Sequence, residues 1–255
     1  MLSQNKIKYI RSLRIKKFRD QHKKFVVEGD KIILDIIRKG SIPIPELIAT
    51  DDWLKRNLFK PSEQVLHVIP VDERSYKKIT SLENPTGVMA IMNKPLKQEN
   101  GFEMIEGVSL ILDDIQDPGN IGTIIRTASW FGISRIYCSL SCADCYGPKV
   151  VQASMGAILN ADILYLDLHD LLLRNSRENN LTVYGTFTTG INIWSEKPEQ
   201  NALIVFGNES HGISDDLLPF ISVKLSIPSG NATGHFMESL NVASAAAIVC
   251  AAFYR

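Results

Sequence analysis

The sequence predicts an α/β protein in which a small α/β domain precedes a larger domain with a mostly parallel sheet. Three observations support this prediction. From Phe102 onward, strong apolar runs alternate with segments whose apolar residues recur at helical spacing. Residues 1–95 alternate shorter apolar runs with basic helical segments. Between these regions, NKPLKQENG is polar and contains Pro and Gly, which is typical of a linker.

The first domain is predicted to span residues 1–95, followed by a linker at 96–104 and a second domain at 105–255. Strands are predicted in the first domain at FVV (25–27), ELIAT, VLHVIP and VMAIM, which are short and apolar. KIILDIIRKG has the apolar spacing of an amphipathic helix that ends at Gly40. Strands and helices in this order indicate a small α/β domain.

The second domain contains six strand candidates, which are VSLILD, SRIYCSL, DILYLD, LTVYGTF, ALIVFG and VKLSIP. Helices are predicted at 148–159, 166–174 and 240–254. Strands that alternate with helices pair in parallel, because each crossover returns the chain to the same end of the sheet. The last helix is apolar almost all round, which predicts burial against the sheet or a partner subunit.

The composition is that of an ordinary globular protein, and no apolar run reaches the roughly 18 residues that a membrane span needs. The amino-terminal segment MLSQNKIKYIRS is charged and lacks an apolar core, so a cytoplasmic location is expected. Cys142 and Cys145 form a CxxC, but a second CxxC or a suitably spaced His pair is missing. Reduced thiols are therefore expected rather than a zinc site.

Charge is unevenly distributed although the net charge is zero. Residues 1–38 contain eleven Lys or Arg and four Asp or Glu. Such a segment suits a polyanion such as RNA, because each neutralised phosphate releases condensed counterions. A solvated helix face is the alternative interpretation, since Lys and Arg are common on exposed helices.

The most informative segment is DPGNIGTIIRTASWFG at 117–132, which lies between a predicted strand and a predicted helix. Ligands bind at the carboxyl ends of strands in open α/β sheets. Asn120 supplies a hydrogen-bonding amide and Arg126 a permanent positive charge. Asn120 is also a candidate N-cap of the helix, because Asn is among the most favoured residues there.

Two further polar segments follow late strands. GNESHGIS comes after ALIVF, and IPSGNATGHFMESLNVASAAA comes after VKLS. Three such loops on one edge of a parallel sheet would form a single cleft. The sequence lacks GxGxxG after a first strand, a P-loop and GxSxG, which argues against a dinucleotide site, a nucleotide-phosphate site and an α/β-hydrolase site.

Together these motifs resemble the SpoU (TrmH-like) family of SPOUT methyltransferases, which methylate ribose 2′-hydroxyls in RNA. DPGNIGTIIRTA, FGNESHGIS and IPSGNATGHFMESLNVASAAAI are similar to the family's three motifs, and PKVVQASMGAI resembles a further family segment. KFVVEGDKIILDII and NPTGVMAI are similar to the RNA-binding domain that often precedes this catalytic domain, which is like ribosomal protein L30e.

The resemblance implies S-adenosylmethionine-dependent 2′-O-methylation of a ribose in rRNA or tRNA, a trefoil knot in the second domain and a homodimer. It implies catalytic roles for Asn120, Arg126, Glu209, Ser239 and Asn241. It implies cofactor binding by Thr186, Phe187, Gly207, Ile227 and Leu240, with no metal. A catalytically silent RNA-binding protein or ribosome assembly factor of the same fold is the alternative.

The third motif departs from the family pattern, because SGNATGHFM between Pro228 and Ser239 contains an insertion. The second motif has Ser210 where the family more often has Gly. Arg126 is a poor general base because the pKa of a guanidinium is very high. The expected role of Arg126 is to clamp a substrate phosphate and to stabilise the developing alkoxide.

Overall fold

A computed structural model describes residues 2–59, 63–95, 106–230 and 239–254. The chain divides into two units. The first consists of Met1–Leu96 together with Tyr146–Leu159, and the second of Lys97–Cys145 together with Asn160–Arg255. The predicted linker at 96–104 lies outside the described residues, and the domain boundaries remain a prediction.

The first unit is a four-stranded sheet with helices, in the strand order β1-β4-β2-β3. Its elements are α1 (Gln4–Ser12), α2 (Lys16–His22), β1 (Lys24–Glu28), α3 (Asp30–Lys39), β2 (Ile44–Thr50), α4 (Asp51–Arg56), β3 (Val65–Val71), α5 (Glu73–Lys77) and β4 (Val88–Asn93). β2 and β3 are parallel, and the other pairs are antiparallel. All four predicted strands are confirmed. The predicted helix before Gly40 is α3, and Gly40 caps it in the left-handed conformation.

A polar cluster lies at the end of β1. Glu28 is 4% exposed at the end of β1. Its carboxylate accepts hydrogen bonds from the Tyr76 hydroxyl at 3.3 Å, from the Thr80 hydroxyl, and from the Ser81 backbone N–H and hydroxyl at 3.0 and 2.7 Å. A buried carboxylate is stable only with such donors. Glu28 therefore ties the segment after α5 to the sheet.

Residues 146–159 also belong to the first unit, although the sequence places them in the second domain. The Tyr146 ring packs against Phe25 at 4.9 Å. The sequence prediction of one helix over 148–159 is wrong in part. α7 covers only Pro148–Ala153, and a 3₁₀ turn covers Ala157–Leu159. Met155 and Gly156 separate the two with φ of 50° and 88°, outside the right-handed helical region.

The second unit is built on a seven-stranded parallel sheet in the order β7-β6-β5-β10-β8-β11-β9. Its elements are β5 (Val108–Leu112), α6 (Pro118–Trp130), β6 (Arg135–Cys138), β7 (Asp162–Tyr165), α8 (Leu168–Arg174), β8 (Thr182–Phe187), β9 (Ile191–Asn192), β10 (Ala202–Phe206), β11 (Val223–Ser226) and α9 (Val242–Phe253). The predicted α/β class and all six predicted strands are confirmed. β9 was not predicted, because two exposed residues give no periodic signal.

The pattern of buried residues accounts for the strands and helices of the second unit. Every residue of β10 is buried, as expected for a central strand of a sheet covered on both faces. α6 buries Ile121, Ile124, Ile125 and Ala128, which lie on one stripe of the helix. The predicted terminal helix is α9, which begins two residues later than expected because Asn241 is its N-cap.

Candidate active site

Four neighbouring strands of the second unit end at the same edge of the parallel sheet. These are β5, β10, β8 and β11, with Leu112 opposite Phe206 and Phe187 opposite Ser226. After β5 the chain continues to β6 on one side, whereas after β10 it continues to β11 on the other. Strand order therefore reverses between β5 and β10, and ligands bind in the crevice at such a point.

The loop after β5 places Asn120 at this edge. The N-cap of α6 is Asp117, whose carboxylate accepts a hydrogen bond from the Asn120 backbone N–H at 2.8 Å. Pro118 occupies the first turn, where its missing N–H costs nothing. The sequence prediction that Asn120 itself caps the helix is wrong. Because Asp117 caps α6, the Asn120 side chain is available for other partners.

Asn120 joins three loops through its side-chain amide. Its Nδ2 donates to Glu209 Oε1 at 2.5 Å, and its Oδ1 accepts from Asn241 Nδ2 at 3.0 Å. Asn241 Oδ1 accepts in turn from the Ala243 and Ser244 backbone N–H groups at 2.9 and 3.3 Å. Glu209, Asn120 and Asn241 thus form one continuous hydrogen-bonded row, in which each Asn amide is used as both donor and acceptor.

The other two predicted catalytic residues form no hydrogen bond to this row among the residues that the structure describes. Ser239 is exposed and stands two residues before Asn241. Arg126 is exposed on α6, six residues and about 9 Å along the helix from Asn120. Within the described parts of the chain, Arg126 has no ion-pair partner. None of the described acids therefore neutralises the Arg126 charge.

Two residues that sequence reasoning missed shape the loop that carries Glu209. Asp113 Oδ2 accepts from the Ser214 backbone N–H at 2.8 Å. The Asp114 backbone carbonyl accepts from Asn208 Nδ2 at 2.8 Å. Asp114 has a left-handed φ of 53°, and its carboxylate also accepts from Asn208 Nδ2 at 3.2 Å. The sequence signal was the pair of acids directly after β5, at the carboxyl end of a buried strand.

The side chain of Asp114 is itself held by several donors. The Gln116 amide is the strongest of the groups that lower the pKa of Asp114, followed by Ser141, the charge of His211 and the amide of Asn208. His211 Nε2 lies 3.4 Å from Asp114 Oδ2, and its side chain is 55% exposed. Asp114 therefore stays ionised near neutral pH and links the loops after β5 and β10.

The loop after β10 folds back on itself tightly. Asn208 and Gly212 exchange two backbone hydrogen bonds of 2.9 Å. A Cβ at Gly207 would lie 2.2 Å from the Gly212 carbonyl carbon. Only Gly is compatible with so close a backbone approach. Gly207 is therefore required by the loop itself, in addition to the ligand contact predicted for it.

The five positions predicted to bind a cofactor lie at the ends of β8, β10 and β11 and just before α9. The Thr186 hydroxyl donates to the Val205 carbonyl at 3.0 Å. Phe187 and Ile227 are half-buried, and Leu240 is 46% exposed. These three apolar side chains offer the kind of surface on which a flat aromatic ligand packs. Their binding roles remain a prediction.

The cysteines contribute no ligand cluster. Cys138, Cys142, Cys145 and Cys250 are all buried, and none of them is in a disulfide. Among the residues that the structure describes, no group of three or more His, Cys, Asp or Glu side chains could hold a metal ion. Within the same residues, no helix has the length and apolar character needed to span a bilayer.

Two family profiles match the sequence, and several known proteins are similar to it. The sequence profile of the SpoU rRNA Methylase family matches residues 107–251, and that of the MRM3-like substrate binding domain matches residues 4–90. The chain is 26% identical to the 23S rRNA (guanosine(2553)-2′-O)-methyltransferase RlmP of Bacillus subtilis, over 96% of this chain and 94% of that protein. It is 33% identical to the mitochondrial rRNA methyltransferase 3 of Xenopus tropicalis, but the match covers 56% of this chain and only 35% of that relative.

Two solved structures resemble the whole chain. One is assigned to the TrmH family of RNA methyltransferases and comes from Porphyromonas gingivalis. It is 36% identical, with a TM-score of 0.85, and the match covers 99% of this chain and 98% of that one. The other is an AdoMet-bound rRNA methyltransferase from Sinorhizobium meliloti. It is 27% identical, with a TM-score of 0.83, and the match covers 99% of this chain and 95% of that one.

Proposed function

Because the chain belongs to the SpoU rRNA methylase family, we propose that it transfers a methyl group from S-adenosylmethionine to a ribose 2′-hydroxyl of RNA. The family resemblance predicted from the sequence is thereby confirmed. The observation that carries the proposal is the hydrogen-bonded row of Glu209, Asn120 and Asn241, one residue from each of the three motifs. The same row and the names of the relatives favour an enzyme over the silent alternative.

The residues predicted to bind the cofactor fit S-adenosylmethionine. Phe187, Ile227 and Leu240 provide partly accessible apolar surface for an adenine ring. At Gly207 the backbone of Gly212 and Ile213 leaves no room for a side chain. S-adenosylmethionine supplies an electrophilic methyl group on a sulfonium centre. The AdoMet-bound structure of the Sinorhizobium meliloti relative supports this cofactor.

Asn120, Glu209 and Asn241 act by orientation. A methyl transfer requires the attacking oxygen, the carbon and the leaving sulfur to lie in line, and correct positioning alone contributes several kcal/mol. Glu209 fixes the Asn120 amide from one side and Asn241 fixes it from the other. Asn241 is in turn fixed by its role as N-cap of α9. The row is therefore a preorganised edge against which ribose and cofactor can align.

Arg126 supplies the positive charge of the site. A guanidinium stays protonated at neutral pH, so Arg126 is a donor and not the acceptor of the hydroxyl proton. With no ion-pair partner among the described residues, Arg126 can bind a substrate phosphate and stabilise negative charge as it develops on the 2′-oxygen. Ser239, exposed and two residues before Asn241 in the sequence, completes the predicted catalytic set.

Ribosomal RNA is the RNA class that the named relatives favour. The finer parts of the proposal are a trefoil knot, an L30e-like first domain, a cytoplasmic location and a homodimer. Supporting the homodimer, Trp130 at the end of α6 is 84% exposed and Tyr254 after α9 is 70% exposed. Large aromatic side chains this exposed are typical of interfaces. A measured molecular mass equal to that of a single chain, at micromolar protein concentration, would contradict the homodimer.

Two measurements test the function. Titration calorimetry with S-adenosylmethionine measures cofactor binding, and we expect saturable binding of one ligand per chain. Mapping of ribose 2′-O-methyl sites in total RNA, with and without the gene, measures the reaction, and we expect the loss of a specific mark. No cofactor binding at millimolar ligand would favour the silent RNA-binding alternative. Binding with an unchanged methylation map would contradict the proposed RNA reaction.

A further inference from the structure

Three of the four cysteines lie at or just after the carboxyl end of β6. Cys138 is the last residue of β6 and is paired with Leu112, the last residue of β5. Cys142 and Cys145 follow in the loop after β6, and all three are buried. The proposed methyl transfer uses none of them. Nucleophilic groups therefore lie at the same edge of the sheet as the candidate active site, outside its hydrogen-bonded row.

Cys142 is held by the backbone at the end of β5. Its Sγ accepts from the Ile115 backbone N–H at 3.3 Å and donates to the Leu112 carbonyl at 3.2 Å. The Ser139 hydroxyl lies 3.5 Å from the same sulfur. A turn closed by the Cys142 N–H and the Ser139 carbonyl at 3.1 Å brings the chain back toward the end of β6. The Cys142 thiol therefore links the loop after β5 to the loop after β6.

Cys138 lies beside Cys142. The Leu112 carbonyl that accepts from the Cys142 thiol also accepts from the Ser139 N–H at 2.9 Å. Ser139 directly follows Cys138 in the chain. The Cys138 thiol donates a hydrogen bond to Cys142, which is the main cause that lowers the pKa of Cys142. The same bond, together with burial, raises the pKa of Cys138. Cys142 is therefore the thiol that ionises first, and the thiolate is the nucleophilic form of cysteine.

The sequence motif CxxC favours a different pair, Cys142 with Cys145. A separate contact places Cys145, because its backbone N–H donates to the Tyr165 hydroxyl at 2.9 Å. The Tyr165 hydroxyl donates in turn to the Ala143 carbonyl. The hydrogen bond between thiols favours Cys138, four residues before Cys142, as the reaction partner of Cys142.

We propose that Cys142 and Cys138 are a redox-sensitive pair that hydrogen peroxide converts to a disulfide, and that this disulfide slows methyl transfer by disturbing the loop after β5. First, the Cys142 thiolate attacks a peroxide oxygen. An S–O bond forms, the O–O bond breaks, and the leaving hydroxide takes up the proton that the thiol released, which gives a sulfenic acid and water. Second, the Cys138 sulfur attacks the Cys142 sulfur, and the leaving hydroxide takes the Cys138 proton. Two thiols thus reduce one peroxide to two water molecules.

The disulfide would change the contacts of residues 113–117. Its two sulfurs lie about 2.05 Å apart and carry no hydrogen. The Leu112 carbonyl would therefore lose one of its donors, and the Ile115 N–H would lose its thiol acceptor. Ile115 stands between Asp114, which bonds to Asn208, and Asp117, which caps α6. The loop that leads into the candidate site would thus loosen at its centre. The effect on rate rests on the proposed function, whereas the disulfide does not.

Mass spectrometry tests the pair. The purified chain is treated with hydrogen peroxide, its remaining thiols are alkylated under denaturing conditions, and it is digested with trypsin. The expected tryptic peptide 136–149 contains all three cysteines of the cluster. We expect the alkyl label on Cys145 alone and a disulfide between Cys138 and Cys142 that dithiothreitol reduces. A disulfide that includes Cys145, or three alkylated thiols after peroxide treatment, would overturn the proposal.

Three variants sharpen this test. Cys138→Ala removes the second thiol, so oxidation should stop at a Cys142 sulfenic acid that dimedone traps. Cys142→Ser keeps a hydroxyl that can accept from Ile115, and we expect it to form no disulfide. Cys250→Ala is the matched control, because it removes a buried thiol of α9 whose pKa burial raises to about 12. The Cys250 variant should form the disulfide as the wild type does. Loss of the disulfide in this control would also overturn the proposal.

Two further measurements separate the thiol pair from the proposed function. Hydrogen exchange of the Ile115 amide reports the loop directly, because Cys142 Sγ is its acceptor. After oxidation we expect exchange and methyl transfer to change by about tenfold, faster and slower respectively, as is typical when one hydrogen bond is lost. A disulfide that changes neither would overturn the switch. A chain that forms the disulfide with faster exchange, but transfers no methyl group even when reduced, would overturn the proposed function and leave the redox-sensitive pair standing.

Discussion

Each unit contains a glutamate in a hydrogen-bonded cluster, and the two clusters differ in what remains free. Glu28 of the first unit is 4% exposed, and four donors occupy its carboxylate. Glu209 of the second unit is exposed, and Asn120 donates to one of its oxygens. A saturated, buried carboxylate holds a fold together, whereas an exposed one with a single bond keeps acceptor capacity for a ligand.

The two units also differ in an arginine, and substitution of the one in the second unit should have the largest effect on activity. Arg19 is buried with a backbone partner, whereas Arg126 is exposed and without an ion pair among the described residues. Arg126→Ala should lower the methyl-transfer rate by about 10³-fold, because it removes a group that stabilises transition-state charge. S-adenosylmethionine affinity should stay within a few-fold. Normal turnover in this variant would remove Arg126 from the mechanism.

Glu28→Ala should reduce the free energy of unfolding by about 3 kcal/mol, because it leaves buried donors without an acceptor. Urea denaturation of the purified chain measures the loss. Glu28→Gln keeps the volume but retains only one acceptor oxygen, so a smaller loss is expected. If Glu28→Ala had the same urea midpoint of unfolding as the wild type, Glu28 would not be a structural residue in the sense that distinguishes it from Glu209.

Glu209→Gln should impair methyl transfer and leave stability almost unchanged, unlike Glu28→Ala. The rate of methyl transfer should fall by roughly 30-fold to 100-fold, since the Asn120 amide loses its charged acceptor, while the free energy of unfolding changes by less than about 0.5 kcal/mol. Single-turnover assays at saturating RNA and cofactor report the rate. A large change in stability with an unchanged rate would make Glu209 a second structural glutamate.

Asn241 both caps α9 and donates a hydrogen bond to Asn120, and two substitutions separate the structural role from the role in the site. Asn241→Asp keeps the oxygen that caps α9 but loses the amide donor to Asn120, so stability should be preserved and activity reduced. Asn241→Ala loses the cap as well and should cost about 1 kcal/mol of unfolding free energy. Thermal unfolding and methyl-transfer assays of both variants test this. Equal stabilities would show that the cap contributes nothing.

The smallest expected effect concerns Asp114 and pH. Its pKa is held below the ordinary value of 3.8, mainly by the Gln116 hydrogen bond. The ionised group therefore stabilises the fold above its unfolded-state pKa, and this contribution is lost as pH falls through the lowered folded-state pKa. The stability difference between wild type and Asp114→Asn should shrink between about pH 5 and pH 2. A difference independent of pH would exclude Asp114 as its source.

Much of the fold could be predicted because the relevant signals are local. Continuous apolar runs marked β5, β8 and β10, and helical spacing marked α3 and α6, since side-chain periodicity follows directly from backbone geometry. Errors arose where the local signal was ambiguous. Asp117 and Asn120 are both good N-caps by residue type, and the signal that decides between them is Pro118 in the first turn.

What the sequence by itself determined is the identity and order of the three motifs, and with them the family. What only the tertiary structure decided is which residues meet. Asn120 bonds to residues 89 and 121 positions away, and Arg14 donates to the Ile79 and Thr80 carbonyls across more than sixty positions. Periodicity describes a segment's own backbone, whereas such contacts depend on strand order and on helix packing between segments. For this reason the residue types of the site were predictable and their hydrogen-bonded row was not.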